Sequence, residues 1–256
     1  MRGALSFLTV LGRGSPPRHF DYAWFPFIGA GVGVLCALGL FLIAEISRPP
    51  LAAATALILS VGLTGALHLD GLGDAADGLL AATTPDRRLT IMQDVHLGSF
   101  GVTALVLVLL LQFNAYTELA TSLNTETAPH DPADKPAVFA LVAYAFALSR
   151  WVMTAGSLLP YQRPGGMGTA FSGGFAPIAI GLSFTLGIAG IAIVAQDPED
   201  SFRAGKILSV TASGLLAGGS MHWLAWRRIG GQTGDTLGAA GTVTETVALL
   251  SASATL

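Results

Sequence analysis

Charge is scarce in this chain: 11% of its 256 residues are Asp, Glu, Lys or Arg, against about 25% in a typical soluble domain. That deficit excludes a surface solvated by water alone. A net charge of −3 excludes a basic field for gripping nucleic acid. One cysteine, Cys36, excludes an intrachain disulfide and a thiolate-built zinc site. Set in an apolar run, it reads as a small packed hydrophobe. Also absent are GxxxxGK[ST], HExxH and GxSxG, so a P-loop ATPase, a zincin and an α/β-hydrolase have no support. GAGVG (29–33) resembles part of a dinucleotide fingerprint, but it lies in an apolar run where small residues serve helix packing.

Apolar length is abundant. Hydrophobic residues make up 52% of the chain, and the mean hydropathy is +0.63. A spanning helix needs about 20 mostly apolar residues. Seven segments approach this: 23–46, 51–69, 101–119, 137–159, 175–195, 205–226 and 236–254. The last is the weakest, diluted by Thr and Ser and carrying Glu245. The fold expected is an all-α polytopic bundle in the lipid bilayer, one domain over 1–256, with about seven transmembrane helices. The stretch 70–100 is too polar to span and too long for a turn, so it reads as interfacial or re-entrant helices. The N-terminal stretch, too short to span and without a convincing cleavage site, reads as mature protein that forms an interfacial helix.

Basic residues set the expected sidedness. With the N-terminus inside, Arg2, Arg13, Arg18, Arg87, Arg88, Arg150, Arg163, Arg227 and Arg228 fall inside, while Arg48, Lys135, Arg203 and Lys206 fall outside. That split puts 70–100, YQRPGGMG (161–168) and RRIGGQTGD (227–235) on the cytoplasmic side of a bacterial inner membrane. Chemistry is expected on that face.

Three aspartates break the apolar pattern in HLDGLGDAADG (68–78). Asp70, Asp74 and Asp77 fall within a ~60° arc of a helix. Three close carboxylates repel unless a cation neutralises them, and hard oxygen donors without a thiol suit Mg²⁺. The blander reading is a solvated helix face. Three carboxylates on one arc, in so uncharged a chain, favour metal. Asp94 and His96 (IMQDVHLGSFG, 91–101) fit an ordinary polar connector equally well, and His68 fits a satisfied histidine at a helix end. In GGQTGDTLGA (230–239), Gly231, Gln232, Thr233, Gly234 and Asp235 fit two readings evenly. One is a phosphate cradle at a helix start; the other is a tight inter-helix turn capped by Asp235 or Thr236. Residue chemistry alone therefore points to phosphoryl transfer on an amphipathic substrate, without naming it.

HLDGLGDAADG resembles the signature of the cobalamin synthase family, the adenosylcobinamide-GDP ribazoletransferases, and GGQTGDTLGA resembles its second signature. LSFLTVLGRG, WFPFIGAGVG, IMQDVHLGSFG, SRW (149–151) and LLPYQRPGGMGTAF (158–171) follow in the family's order. The resemblance implies a corrinoid nucleotide and α-ribazole, or its 5′-phosphate, as substrates, GMP as leaving group and Mg²⁺ as cofactor. It implies Asp70, Asp74 and Asp77 as first-choice ligands, with Asp94 and Asp235 approaching from other segments. A carboxylate or His68 would act as general base, and Arg150 and Arg163 would touch phosphate or corrinoid. Val95 and His96 stand where the family commonly has Ser and Arg, so His96 would hold a phosphate only when protonated. Thr242 stands where a glutamate is expected, while Glu245 keeps the second. A CDP-alcohol phosphotransferase ranks lower, for want of its arginine after Asp70-Gly71. A transporter ranks lower because no inverted repeat is visible. A homo-oligomer is compatible with the sequence.

Overall fold

The computed structural model describes residues 1–12, 19–123, 134–162, 175–194 and 203–254. Among these residues ten α-helices follow one another: α1 (Arg2–Leu8), α2 (Phe25–Ala44), α3 (Pro49–Thr64), α4 (Leu67–Leu80), α5 (Pro85–Ile91), α6 (Ser99–Leu123), α7 (Asp134–Gly156), α8 (Phe175–Val194), α9 (Arg203–Ile229) and α10 (Gly234–Ser253). A short 3-10 turn, His19–Trp24, leads into α2. No strand forms among the described residues. Proline sits in the first turn of α2, α3 and α5, where its missing N–H has no helical partner to lose.

Six of the seven apolar segments each fall on one helix, and the second is divided between two. Among the described residues, Phe20–Ala44, Ser99–Leu123 and Lys135–Gly156 are long and apolar enough to cross a membrane. The pair α3–α4 makes a fourth if taken as one broken span, and Ala176–Ile191 is apolar but shorter. The second segment, expected to run through Leu69, instead ends at Thr64. Gly65 (φ 62°) and Ala66 (φ 59°) are both left-handed, and α4 leaves α3 at 86°. Two consecutive left-handed residues cannot continue a right-handed helix, and Ala66 holds that conformation against a penalty of roughly 1–2 kcal/mol. The first part of 70–100 is thus a helix packed along α10 and α6.

α7 and α10 are central, and this accounts for the polarity of α10. Its Thr236, Thr242, Thr244, Glu245 and Thr246 are buried among other helices. A helix surrounded by protein does not need the apolar surface that lipid demands. α6 shows the opposite case, exposing Val102, Val106, Leu107, Leu110 and Leu111 along one side. The small residues of GAGVG allow α2 to approach α7. A Cβ at Gly29 would stand 2.7 Å from the Phe146 carbonyl, and one at Gly33 would stand 2.9 Å from that of Val142.

α2 runs antiparallel to α7, with Gly29 against Phe146 and Gly33 against Val142, and two ends of the bundle can be told apart. At one end Lys135 Nζ pairs with Glu45 Oε1 at 2.6 Å, joining the start of α7 to the end of α2. At the other end lie the α3–α4 break, α5, the end of α7 and the start of α10. There Val10 N donates to Leu63 O at 2.9 Å.

Candidate active site

The two long polar signatures meet at that second end. Glycine makes the contact possible: a Cβ at Gly71 would lie 3.0 Å from the Asp235 carbonyl oxygen and 3.1 Å from its Cα. One turn along α10, a Cβ at Gly238 would be 3.5 Å from the His68 carbonyl, and Thr242 Oγ1 donates to that same carbonyl at 3.1 Å. The first turns of α4 and α10 therefore lie backbone to backbone, with Asp235 beside the aspartate helix.

Asp70 is exposed, and Asp74, Asp77 and Asp235 are half-buried. His68 is buried. It precedes Asp70, Asp74 and Asp77 by two, six and nine residues, which at about 100° per residue puts it on the opposite side of α4. The helix thus separates the imidazole, turned into the bundle, from the carboxylates.

Asp77 differs from the other two aspartates. Its Oδ2 accepts from Gly98 N at 2.7 Å and its Oδ1 from Gly101 N at 2.9 Å. These amides open α6, so Asp77 caps that helix from α4 and offsets its N-terminal dipole. Gly98 and Gly101 are bare for the same reason, since a Cβ on either would meet the Asp77 carboxylate.

Beside this cap opens a cleft of about 300 Å³ lined by Asp77, Arg87, Thr90, Ile91, Asp94, His96, Gly98 and Ser99. Asp94 Oδ1 accepts from His96 N at 3.0 Å and lies 2.8 Å from His96 Nδ1. The His96 ring and amide hold the Asp94 carboxyl below the usual carboxylate range. Arg87 was not among the expected site residues. Two adjacent arginines gave no sign of which one served the site, and the helix divides them. Arg88 is buried and donates to the Gly78 and Leu79 carbonyls, closing the C-terminus of α4. Arg87 projects into the cleft.

The GGQTGD turn is tied through Gln232 to the segment that follows α7. Gln232 N donates to Pro160 O at 2.9 Å, Gln162 N donates to Gln232 O at 2.8 Å, and Gln232 Nε2 donates to Leu159 O at 3.2 Å. A side chain at Gly231 would collide with the Pro160 carbonyl, and Gly230 has φ 73°. Neither Asp235 nor Thr236 is the N-cap of α10. Thr233 is, its Oγ1 accepting from Thr236 N at 3.3 Å while Thr236 Oγ1 accepts from Thr233 N at 2.9 Å. Gly231, Gln232 and Thr233 are buried, Gly234 is exposed.

Arg150 lies inside the bundle, donating to Glu245 Oε2 at 2.9 Å and Ser149 Oγ at 2.6 Å. Arg163 lies outside the described residues. No three His, Cys, Asp or Glu side chains among the described residues are gathered tightly enough to cage a metal by themselves. Mg²⁺ does not require that, because it commonly takes one or two carboxylates and completes its shell with water and substrate phosphate. Asp70, Asp74 and Asp235 are hard donors of that kind.

Comparison with known proteins places the chain in a family. A family model described as cobalamin-5-phosphate synthase matches residues 1–253. The chain belongs to the cobalamin-5-phosphate synthase family. Within it, a Brucella anthropi protein named adenosylcobinamide-GDP ribazoletransferase is 37% identical over 220 residues, 84% of this chain and 78% of the relative. A Brucella ovis protein of the same name is 35% identical over 228 residues, 88% of this chain and 82% of the relative. No solved structure matches. The match reaches from α1 to α10.

Proposed function

We propose that the chain is an adenosylcobinamide-GDP ribazoletransferase. It joins adenosylcobinamide-GDP to α-ribazole, or its 5′-phosphate, releases GMP and yields adenosylcobalamin or its 5′-phosphate. Family membership over residues 1–253 supports this, as do the names of relatives at 35–37% identity. The observation that carries the placing of the chemistry is the contact of Gly71 with Asp235, which joins both signatures at one end of the bundle.

In this reading a ribose hydroxyl attacks the phosphorus attached to the corrinoid, and the bond to the GMP oxygen breaks. Asp70 and Asp74, with Asp235 approaching from α10, would hold Mg²⁺. The ion supplies charge neutralisation on the pyrophosphate when bound. Arg87 and His96 face the phosphates across the cleft, with Asp94 fixing the His96 ring. The hydroxyl proton passes to a carboxylate on this side of α4, because His68 faces the other way. Asp77 holds α6 and thereby the floor of the cleft.

The membrane reading is also a proposal: seven crossings, N-terminus and cleft on the cytoplasmic side of a bacterial inner membrane. Arg227 and Arg228 at the end of α9, beside exposed Trp223 and Trp226, support it. With Cys36 replaced by serine, a single cysteine at Val95 should react with an impermeant thiol reagent only in inside-out vesicles. Labelling from the outside would reverse the orientation.

The deciding assay supplies bilayer-embedded protein with adenosylcobinamide-GDP, α-ribazole 5′-phosphate and Mg²⁺. GMP release that needs all three and is abolished by Asp74→Asn is the expected result. Intact wild-type protein that releases none would defeat the proposal.

A further inference from the structure

Beneath the α3–α4 break lies a second, interior cavity, apart from the cleft. Its walls include Thr64, His68, Gln112, Arg150, Thr242 and Glu245. His68 is 5% exposed, and neither of its ring nitrogens has a hydrogen-bond partner in the protein. Leaving a buried donor or acceptor unpaired costs about 1–3 kcal/mol, so such an orphan calls for an explanation.

We infer that this cavity is a structural water site, in which at least one water bridges the His68 imidazole to the polar groups around it. Charge selects the ligand. Arg150 repels a cation, Glu245 repels an anion, and the two are paired with each other at 2.9 Å, so the walls are neutral as a set. Size narrows it further: the space totals about 290 Å³, mostly crevices between atoms, with room for roughly one water molecule. Partners are at hand. Thr64 Oγ1 donates to Ser60 O at 2.8 Å and Thr242 Oγ1 to Gly238 O at 3.0 Å. Each hydroxyl oxygen therefore keeps lone pairs for an incoming O–H. Glu245 has a second carboxylate oxygen beyond the one on Arg150. A water so placed has the two to four partners that buried waters require. It ties the bend, through Thr64 and His68, to α7 and α10.

The test is water-edited solid-state NMR on ¹⁵N-histidine-labelled full-length protein in bilayers. The chain has five histidines, and the His68 signals are assigned by their loss in His68→Asn, or by backbone correlation if that variant does not fold. Magnetisation from water should reach the His68 ring nitrogens despite their burial, at mixing times comparable with those for exposed His96. Thr64→Val, which keeps the shape and deletes one hydroxyl, should slow that transfer several-fold. A His68 ring that stays dark while His96 is saturated would overturn the site, and so would transfer unchanged by Thr64→Val.

Discussion

The backbone of Gly71 rests against that of Asp235, with only 3.0 Å between the Asp235 carbonyl oxygen and the point where a Cβ on residue 71 would stand. Residues from opposite ends of the chain are thereby in direct main-chain contact, and the aspartate helix is held against the N-terminus of α10.

Gly71→Val should therefore push the two helices apart. The expected cost is about 1–3 kcal/mol, as for overpacking elsewhere, with GMP release lost alongside. Gly62→Ala is the control, since a Cβ there meets nothing within 4 Å. Thermal unfolding in detergent, read beside the turnover assay, should show a lower Tm for the first and none for the second.

Asp74 and Asp77 should separate by phenotype. Asp77→Ala removes the acceptor of two amide bonds and should destabilise by about 1–2 kcal/mol, the range for a lost helix cap. Asp74→Asn, which keeps the side chain's size and one acceptor oxygen, should lose GMP release with a smaller change in Tm than Asp77→Ala. Equal losses of Tm in both would contradict the division of labour along α4.

Arg150 and Glu245 are 3% and 7% exposed at their side chains, so screening by water is small. Arg150→Met alone should destabilise by about 3–5 kcal/mol, because it strands a buried carboxylate. The double variant Arg150→Met/Glu245→Leu should recover most of that loss. A Tm for the double variant no higher than for the single one would exclude an ion-pair origin.

Asp94 has its carboxyl pulled below the ordinary value by His96. A depressed carboxyl contributes its pairing above the unfolded value, and loses it as pH falls through the lowered folded one. The unfolded value is about 3.9. The pH dependence of Tm should therefore be the same in wild type and Asp94→Asn between roughly pH 5 and 8, and diverge only below about pH 4. Divergence near neutrality would place a different group behind the pH dependence.

Much of this was legible beforehand. Apolar runs of about 20 residues called for helices in lipid, because a helix satisfies its backbone groups within its own segment. The positions of α2, α6, α7, α8, α9 and α10 followed from apolar length. The aspartate arc was visible from 3.6-residue periodicity, and the family from two signatures. Less legible were the roles within each pattern. Periodicity placed Asp77 with Asp70 and Asp74, yet could not show that Gly98 and Gly101 would come to it with bare amides. Arg87 and Arg88 are equivalent as letters, and only the helix turn sends one to the cleft and the other to the carbonyls of α4. The capping of α10 by Thr233, rather than Asp235 or Thr236, depended on where Pro160 and Gln162 hold the loop.

The sequence by itself determined the solvent, the secondary structure and the kind of chemistry, since these depend on properties each segment carries alone: apolar length, helical period, side-chain type. Tertiary structure decided which groups meet. The left-handed pair Gly65–Ala66 turned α4 through 86°, sent His68 into the bundle, and brought Asp235 to the carboxylates. Contacts between segments far apart in the chain follow from packing, and no local pattern encodes them.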